Sequence, residues 1–207
     1  MSLTRRIAPI GAALLLSATA TAAQQPTVAA AVQPAAAKPA MPSAGYRAEL
    51  VADIGQLERK YLGLAESMKG KYGWRPTEGV RSVGEVLAHV AGANMMLPTM
   101  AGVRSSSVMP AVPTEMKAMM DSMRALEKNG DEAQIRAALA KSFTHLKEAV
   151  AAVPDDQLDA AAKLFGRDAT KRAVLQLTVT HLHEHLGQSI AYARQNGVTP
   201  PWSGGGE

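Results

Sequence analysis

Apolar residues recur at intervals of three and four along most of the chain, which is the period of an amphipathic helix. This period predicts five helices and no convincing strand. The third helix is the shortest and is rich in methionine. The pattern therefore predicts an all-α fold, a four-helix bundle with one extra short helix. The predicted helices span approximately residues 46–68, 82–97, 114–128, 131–153 and 170–196.

Capping signals mark the starts of the second and fourth helices. Ser82 can cap the second helix while Glu85, three residues later, reaches back to it, which is a capping box. Asp131 is the corresponding cap of the fourth helix. Pro98 is expected to end or kink the second helix, because proline lacks the N–H that a helix interior requires.

The ends of the chain differ in composition from the predicted bundle. Residues 1–23 contain a basic pair, a short apolar run and small-residue steps, which predicts a cleaved secretory signal peptide and export to a periplasm. The apolar run is shorter than the ~20 residues of a spanning helix, so no membrane segment is expected after cleavage. Residues 24–44 are rich in Ala, Pro and Gln and predict a linker. The folded domain is then 45–202, followed by a loose tail at 203–207.

Composition and charge exclude several classes of partner and site. The formal net charge is +4, and loss of Arg5 and Arg6 with the signal peptide would remove two of these charges. Since no cluster of Lys and Arg suggests a nucleic-acid stripe, no nucleic-acid partner is expected. The sequence has no cysteine. Any metal would therefore be held by histidine and carboxylate side chains.

Three of the five histidines lie in the segment Thr180–Gln188, which reads THLHEHLGQ. The apolar residues around this segment repeat at three and four, which places it on a helix. His181 and His185 are four apart and so share one helix face, as two imidazoles on one ion would. His183 points about 160 to 200° away from them and is expected at the surface.

A third ligand would have to come from another helix. His89 is the candidate, because it lies on the inner stripe of the second helix. His145 lies off the apolar stripe of the fourth helix and is expected at the surface. Spacing alone leaves two interpretations open, since histidine pairs four apart are common on helices and a single histidine on an apolar face is more often a core residue than a ligand.

Two segments resemble the DinB superfamily. They read GWRPTEGVRSVGEVLAHVAG, around His89, and HLHEHLGQSIAYARQNGVTPPW, which begins at His181. The resemblance covers residues 46–201 and implies a bundle of the DinB type with a three-histidine site for a divalent ion, zinc or nickel. It also implies a homodimer. Carried over position by position, His89, His181 and His185 match the family's metal ligands.

An ion on three histidines keeps a coordination position open, which suits catalysis. The leading hypothesis is metal-dependent hydrolysis of an unknown small-molecule substrate, with water as the activated nucleophile. Gln188 is a candidate for binding water or substrate, and Glu184 is a candidate general base. Glu85, one turn before His89, is a candidate to orient that ring.

Two alternatives remain at this point. Some relatives activate a thiol for transfer or isomerisation, although export from the reducing cytoplasm argues against that chemistry here. The other alternative is a non-catalytic metal- or ligand-binding protein. Eight of the eleven methionines lie between Met95 and Met123, and thioether sulfurs suit Cu(I). We favour the interpretation that these methionines fill the core or line a pliable apolar pocket.

Overall fold

The computed structural model describes residues 38–109 and 115–204. The predicted signal peptide, most of the predicted linker and the last three residues of the predicted tail lie outside these ranges. None of the helices within the described ranges combines the length and the apolar character needed to cross a membrane.

Five α-helices make up most of the described chain. α1 and α2 each pack against both α4 and α5, so the four long helices enclose one core, while α3 packs mainly against α2. The predicted all-α bundle with one extra short helix is confirmed, and α3 is that extra helix. The helices are α1 (Gly45–Ser67), α2 (Val83–Met100), α3 (Met116–Asn129), α4 (Glu132–Ala152) and α5 (Lys171–Gln195).

The apolar stripes of the four long helices meet in this core. Ile54 and Tyr61 of α1, Leu139 and Phe143 of α4 and Leu182 of α5 have no exposed surface. The rings of Tyr61 and Phe143 pack with their centroids 5.6 Å apart. Burying a side chain of this size contributes roughly 1.5–3 kcal/mol. The core thus fixes α1 against α4 and α5.

Replacing Tyr61 with phenylalanine tests a buried polar contact in this core between α1 and α5. The Tyr61 hydroxyl donates to the backbone oxygen of Leu182 at 2.7 Å. Tyr61→Phe keeps the packing of the ring but removes the donor, so we expect the free energy of unfolding in urea to fall by about 1–2 kcal/mol. Tyr46→Phe is the control, since its hydroxyl bonds to Gln176 at an exposed position. If both variants lose the same free energy of unfolding, the buried hydrogen bond of Tyr61 does not have this stabilising role.

The predicted capping box of α2 is present. The Ser82 hydroxyl accepts from the backbone N–H of Glu85, and the Glu85 carboxylate accepts from the backbone N–H of Ser82 at 2.6 Å. α2 runs through Pro98 and ends at Met100, so the end predicted at residue 97 comes too early. Proline lacks its own N–H and its ring crowds the preceding turn, but the backbone oxygen of Pro98 still accepts from the N–H of Ala101 at 3.0 Å.

A short antiparallel hairpin precedes α5, where the sequence predicted no strand. Its strands are β1 (Ala161–Leu164) and β2 (Arg167–Thr170). Phe165 and Gly166 form the turn between them, both with positive φ, at 49° and 83°. A two-residue hairpin turn with positive φ at both positions matches the right-handed twist of the strands. The prediction was wrong because four residues are too few for a strand period to be recognised.

His145 lies in the core and not at the surface, so the sequence prediction for it was wrong. Its side chain is fully buried. α4 packs against both α1 and α2, so its buried arc is wider than its apolar stripe and includes this position. His145 Nδ1 lies 2.9 Å from the hydroxyl of Ser106, and its Nε2 has no hydrogen-bond partner among the described residues.

This burial predicts an acid-sensitive contribution to stability, because it lowers the pKa of His145. In the unfolded chain His145 takes up a proton near pH 6.5, whereas in the folded chain it does so only at lower pH. The unfolded state therefore binds more protons, and the free energy of unfolding falls as the pH drops below about 6.5. The free energy of unfolding of metal-free protein is measured in urea from pH 7 to pH 5. It should change less with pH in His145→Asn than in the wild type. The same dependence in both proteins would refute the prediction.

Candidate metal centre

Three imidazole rings meet between α2 and α5. His89 comes from α2, and His181 and His185 come from α5. Each offers one ring nitrogen, and the three nitrogens lie within 4.8 Å of one another. The three ring centroids are 4.5, 4.8 and 5.2 Å apart, and all three residues are half-buried. The structure therefore brings together the three residues that the sequence predicted as ligands.

The spacing of two of these nitrogens fits a single shared ion. His89 Nε2 and His181 Nε2 lie 3.2 Å apart. Two nitrogens bound to one tetrahedral zinc at about 2.0–2.1 Å each would lie about 3.3 Å apart. The match requires no large movement of either ring.

Glu127, on α3, orients the ring of His89. Its Oε1 lies 3.2 Å from His89 Nδ1. An ionised carboxylate only accepts, so Nδ1 carries the proton and Nε2 is left with its lone pair. The other carboxylate oxygen accepts from Arg81 Nε at 3.3 Å. A carboxylate that holds the distal nitrogen of a histidine is a common partner of metal ligands in proteins.

The sequence proposed Glu85 for the role that Glu127 takes. Glu85 instead accepts from the backbone N–H of Ser82 and, at 3.0 Å, from Arg75. Glu127 is separated from His89 by 38 residues and lies on another helix. The rule that residues three or four apart share a face applies only within one helix, so nothing in the local sequence marks this pair.

Gln188 orients the ring of His185 in a similar way. His185 Nδ1 donates to Gln188 Oε1 at 2.8 Å, and the amide Nε2 of Gln188 donates to the Tyr192 hydroxyl at 3.0 Å. Because the amide oxygen faces the ring, the proton of His185 is on Nδ1 and its Nε2 is available to an ion. Gln188 thus has a positioning contact that the sequence did not predict, and its role toward water or substrate stays a prediction.

Two of the rings at this centre, those of His89 and His181, are neutral at pH 7. Burial lowers the pKa of His89 to about 4, with nearby Arg81 acting in the same direction. Burial also lowers the pKa of His181 to about 4, and the neighbouring His185 and His89 add to the effect. Neutral imidazole is the form that binds metal ions. Three imidazoles are a donor set that suits zinc, nickel and related divalent ions.

His183, the middle histidine of the segment, does not join the centre. Its side chain is 55% exposed, and its Nε2 lies 3.0 Å from a carboxylate oxygen of Asp53 on α1. The prediction that His183 lies at the surface is confirmed.

An open cleft of about 850 Å³ reaches the centre from one side. Glu184, the predicted general base, lies in its wall beside His185. The cleft is polar and carries charges of both signs, and it gives water and small molecules access to His185. Its lining residues are Arg75, Gly79, Val80, Arg81, Glu85, Glu127, Glu184, His185 and Gln188.

Comparison with known proteins agrees with this fold. The family model of the DinB superfamily matches residues 54–189, more than half of the chain. A DinB-like protein from Bacillus subtilis has a similar fold, with 24% identity and a TM-score of 0.52, over 73% of this chain and 93% of that one. A DinB-like protein from Bacillus cereus has 19% identity and a TM-score of 0.48 over the same shares. No curated protein matches the chain. The chain belongs to the DinB superfamily.

Proposed function

We propose that this protein is a divalent-metal-dependent hydrolase of a small-molecule substrate, with His89, His181 and His185 as the ligands of one zinc or nickel ion. The observation that supports the proposal is the convergence of three half-buried imidazole nitrogens within 4.8 Å. When bound, such an ion acts as a Lewis acid and makes water nucleophilic near neutral pH.

The side chains around the histidines have distinct tasks in this proposal. Glu127 and Gln188 hold the rings of His89 and His185, so that the nitrogens facing the ion do not have to be ordered when it binds. The cleft admits substrate and water at His185. Glu184, in the cleft wall, accepts a proton from the attacking water on a carboxylate oxygen.

The metal content of the protein as isolated is the first measurement. We expect about one equivalent of a divalent ion per chain, since the three ligands form one site. A panel of ester, amide and phosphoester substrates is then assayed before and after removal of the ion by a chelator. Hydrolysis that is lost with the ion and restored by it supports the proposal. If no substrate of the panel is hydrolysed and a thiol-transfer assay shows activity, the hydrolase proposal is wrong and the protein is a thiol transferase or isomerase.

We also propose that the protein is exported to a periplasm and forms a homodimer. Export is supported by the signal-like composition of residues 1–23, which lie outside the described ranges. The dimer is supported by the family resemblance only. The N-terminal sequence of protein recovered from its native cells tests the first proposal, and light scattering on the purified protein tests the second.

A further inference from the structure

A cavity of about 220 Å³ lies between α2 and α3, and its wall is made mainly of methionine side chains. Ser122 provides the single side-chain hydroxyl of this wall, and it donates to the backbone oxygen of Ala118 at 2.9 Å. The wall therefore offers thioethers and hydrocarbon, and none of the residues described for it carries a charge. These residues are Gly92, Met95, Met96, Met109, Met119, Ser122, Met123 and Leu126.

This methionine cavity lies one helical turn from the histidines. Residues three or four apart on a helix share a face, and one turn rises about 5.4 Å. Around the cavity lies an apolar cluster, the methionine cluster, which consists of Ala93, Met96, Leu97, Met119 and Met123, with Leu177 packed against it. On three helices, a residue of the cavity or of this cluster lies three or four positions from a residue of the metal centre. The pairs are Gly92 and His89 on α2, Met123 and Glu127 on α3, and Leu177 and His181 on α5.

The polar cleft lies on the other side of the histidines. Along α5, Leu177 precedes His181 and packs against the methionine cluster, whereas Glu184 and Gln188 follow His181 and line the cleft. The metal centre therefore separates a charged opening from an apolar cavity. A molecule whose reactive bond lies at the histidines has an apolar wall within one helical turn.

We propose that the methionine cavity binds a small apolar group of the substrate, either a phenyl ring or an alkyl chain of about six carbons. A dry cavity of about 150 Å³ is enough for benzene, so about 220 Å³ takes a group of this size. This volume is far larger than a copper ion needs. Methionine side chains adapt to the shape of an apolar ligand. The cavity alone is needed to bind the apolar group. That this group is part of a substrate rests on the proposed function.

Gly92 keeps the cavity in its present shape. A Cβ atom at this position would lie 2.4 Å from Cγ of Met123, which forms part of the opposite wall. Alanine is a better helix former than glycine, so Gly92→Ala should leave α2 folded. The added methyl group must displace Met123, which changes this wall of the cavity. Gly55→Ala, in α1, is the matched control, since a Cβ there meets nothing within 4 Å.

The test is a titration of metal-free protein, labelled with ¹³C at the methionine methyls, with toluene. We expect saturable shifts at Met96, Met119 and Met123, and none at Met68, which is buried in the main core. Gly92→Ala should weaken the binding at least about ten-fold, because about 1.4 kcal/mol of lost contact has that effect. Met119→Phe, a second variant that fills the cavity, should also weaken it, and Gly55→Ala should not.

An absence of saturable shifts would overturn the proposal, and so would shifts of equal size at Met68. Submicromolar Cu(I) binding at the same methyls without any response to toluene would assign the cluster to copper. The titration uses no ion and no turnover, so it stands even if the hydrolase proposal fails.

A second experiment tests the link between the cavity and the substrate. The metal-loaded protein is assayed with nitrophenyl esters of increasing acyl length. We expect kcat/KM to be at least about ten-fold higher for the hexanoate than for the acetate, since each additional CH₂ group that is buried favours binding. Gly92→Ala should reduce this preference. Hydrolysis without any preference for chain length would overturn the substrate assignment and leave the hydrolase proposal in place.

Discussion

His181→Ala is expected to abolish stoichiometric metal binding, with an affinity for zinc at least about 100-fold below that of the wild type. Loss of a partner that merely orients a ligand already costs 10- to 100-fold, and His181 is proposed as a ligand itself. Its Nε2 lies 3.2 Å from that of His89, and no other described histidine reaches this position. Metal analysis after dialysis and competition with a chromophoric chelator measure the stoichiometry and the affinity.

His183→Ala provides the control on the same helix. It removes the same ring two residues away, but this ring is exposed and contacts Asp53 and not the centre. We expect this variant to retain about one equivalent of metal, because all three proposed ligands remain. If both variants lose the ion equally, the assignment of ligands is wrong.

Glu127→Ala is expected to weaken zinc binding by about 10- to 100-fold while all three histidines remain. Without the carboxylate, His89 loses the acceptor that holds the proton on Nδ1 and fixes the orientation of the ring. The ion would then have to order this ring as it binds. The same chelator competition measures the change.

Glu184→Gln is the comparison for this second prediction. Glu184 lines the same cleft as Glu127, but the hydrogen bonds described for the three histidines do not include it. Glu184→Gln should therefore retain the affinity for zinc, and under the proposed function it should lower the rate of hydrolysis. A loss of affinity as large as that of Glu127→Ala would show that cleft charge, and not orientation of His89, determines binding.

The parts of the site that sequence could predict are those determined within one helix. The spacing of His181 and His185 and the capping box at Ser82 depend on helical geometry alone, and both are present in the structure. His89 could be proposed because it lies on the inner face of α2. The family resemblance then predicted that His89 is a metal ligand together with His181 and His185.

The parts that sequence could not predict depend on how one helix is placed against another. Glu127 contacts His89 only because α3 packs on α2 in one particular register. His145 is buried because α4 has neighbours on two sides, and a single apolar stripe does not show a second buried face. The turn at Phe165 and Gly166 lacks the Asn-Gly or Asp-Gly pair that most clearly signals a hairpin.

α3 packs mainly against α2, yet it carries both Glu127 and one wall of the methionine cavity. Because both proposed sites include residues of this helix, we expect the two ligands to be coupled through the position of α3. Such coupling is reciprocal, so the ion and the apolar group would each raise the affinity for the other by the same factor. The extra short helix would then make the centre selective, because the ion is held most tightly when the apolar group is also bound.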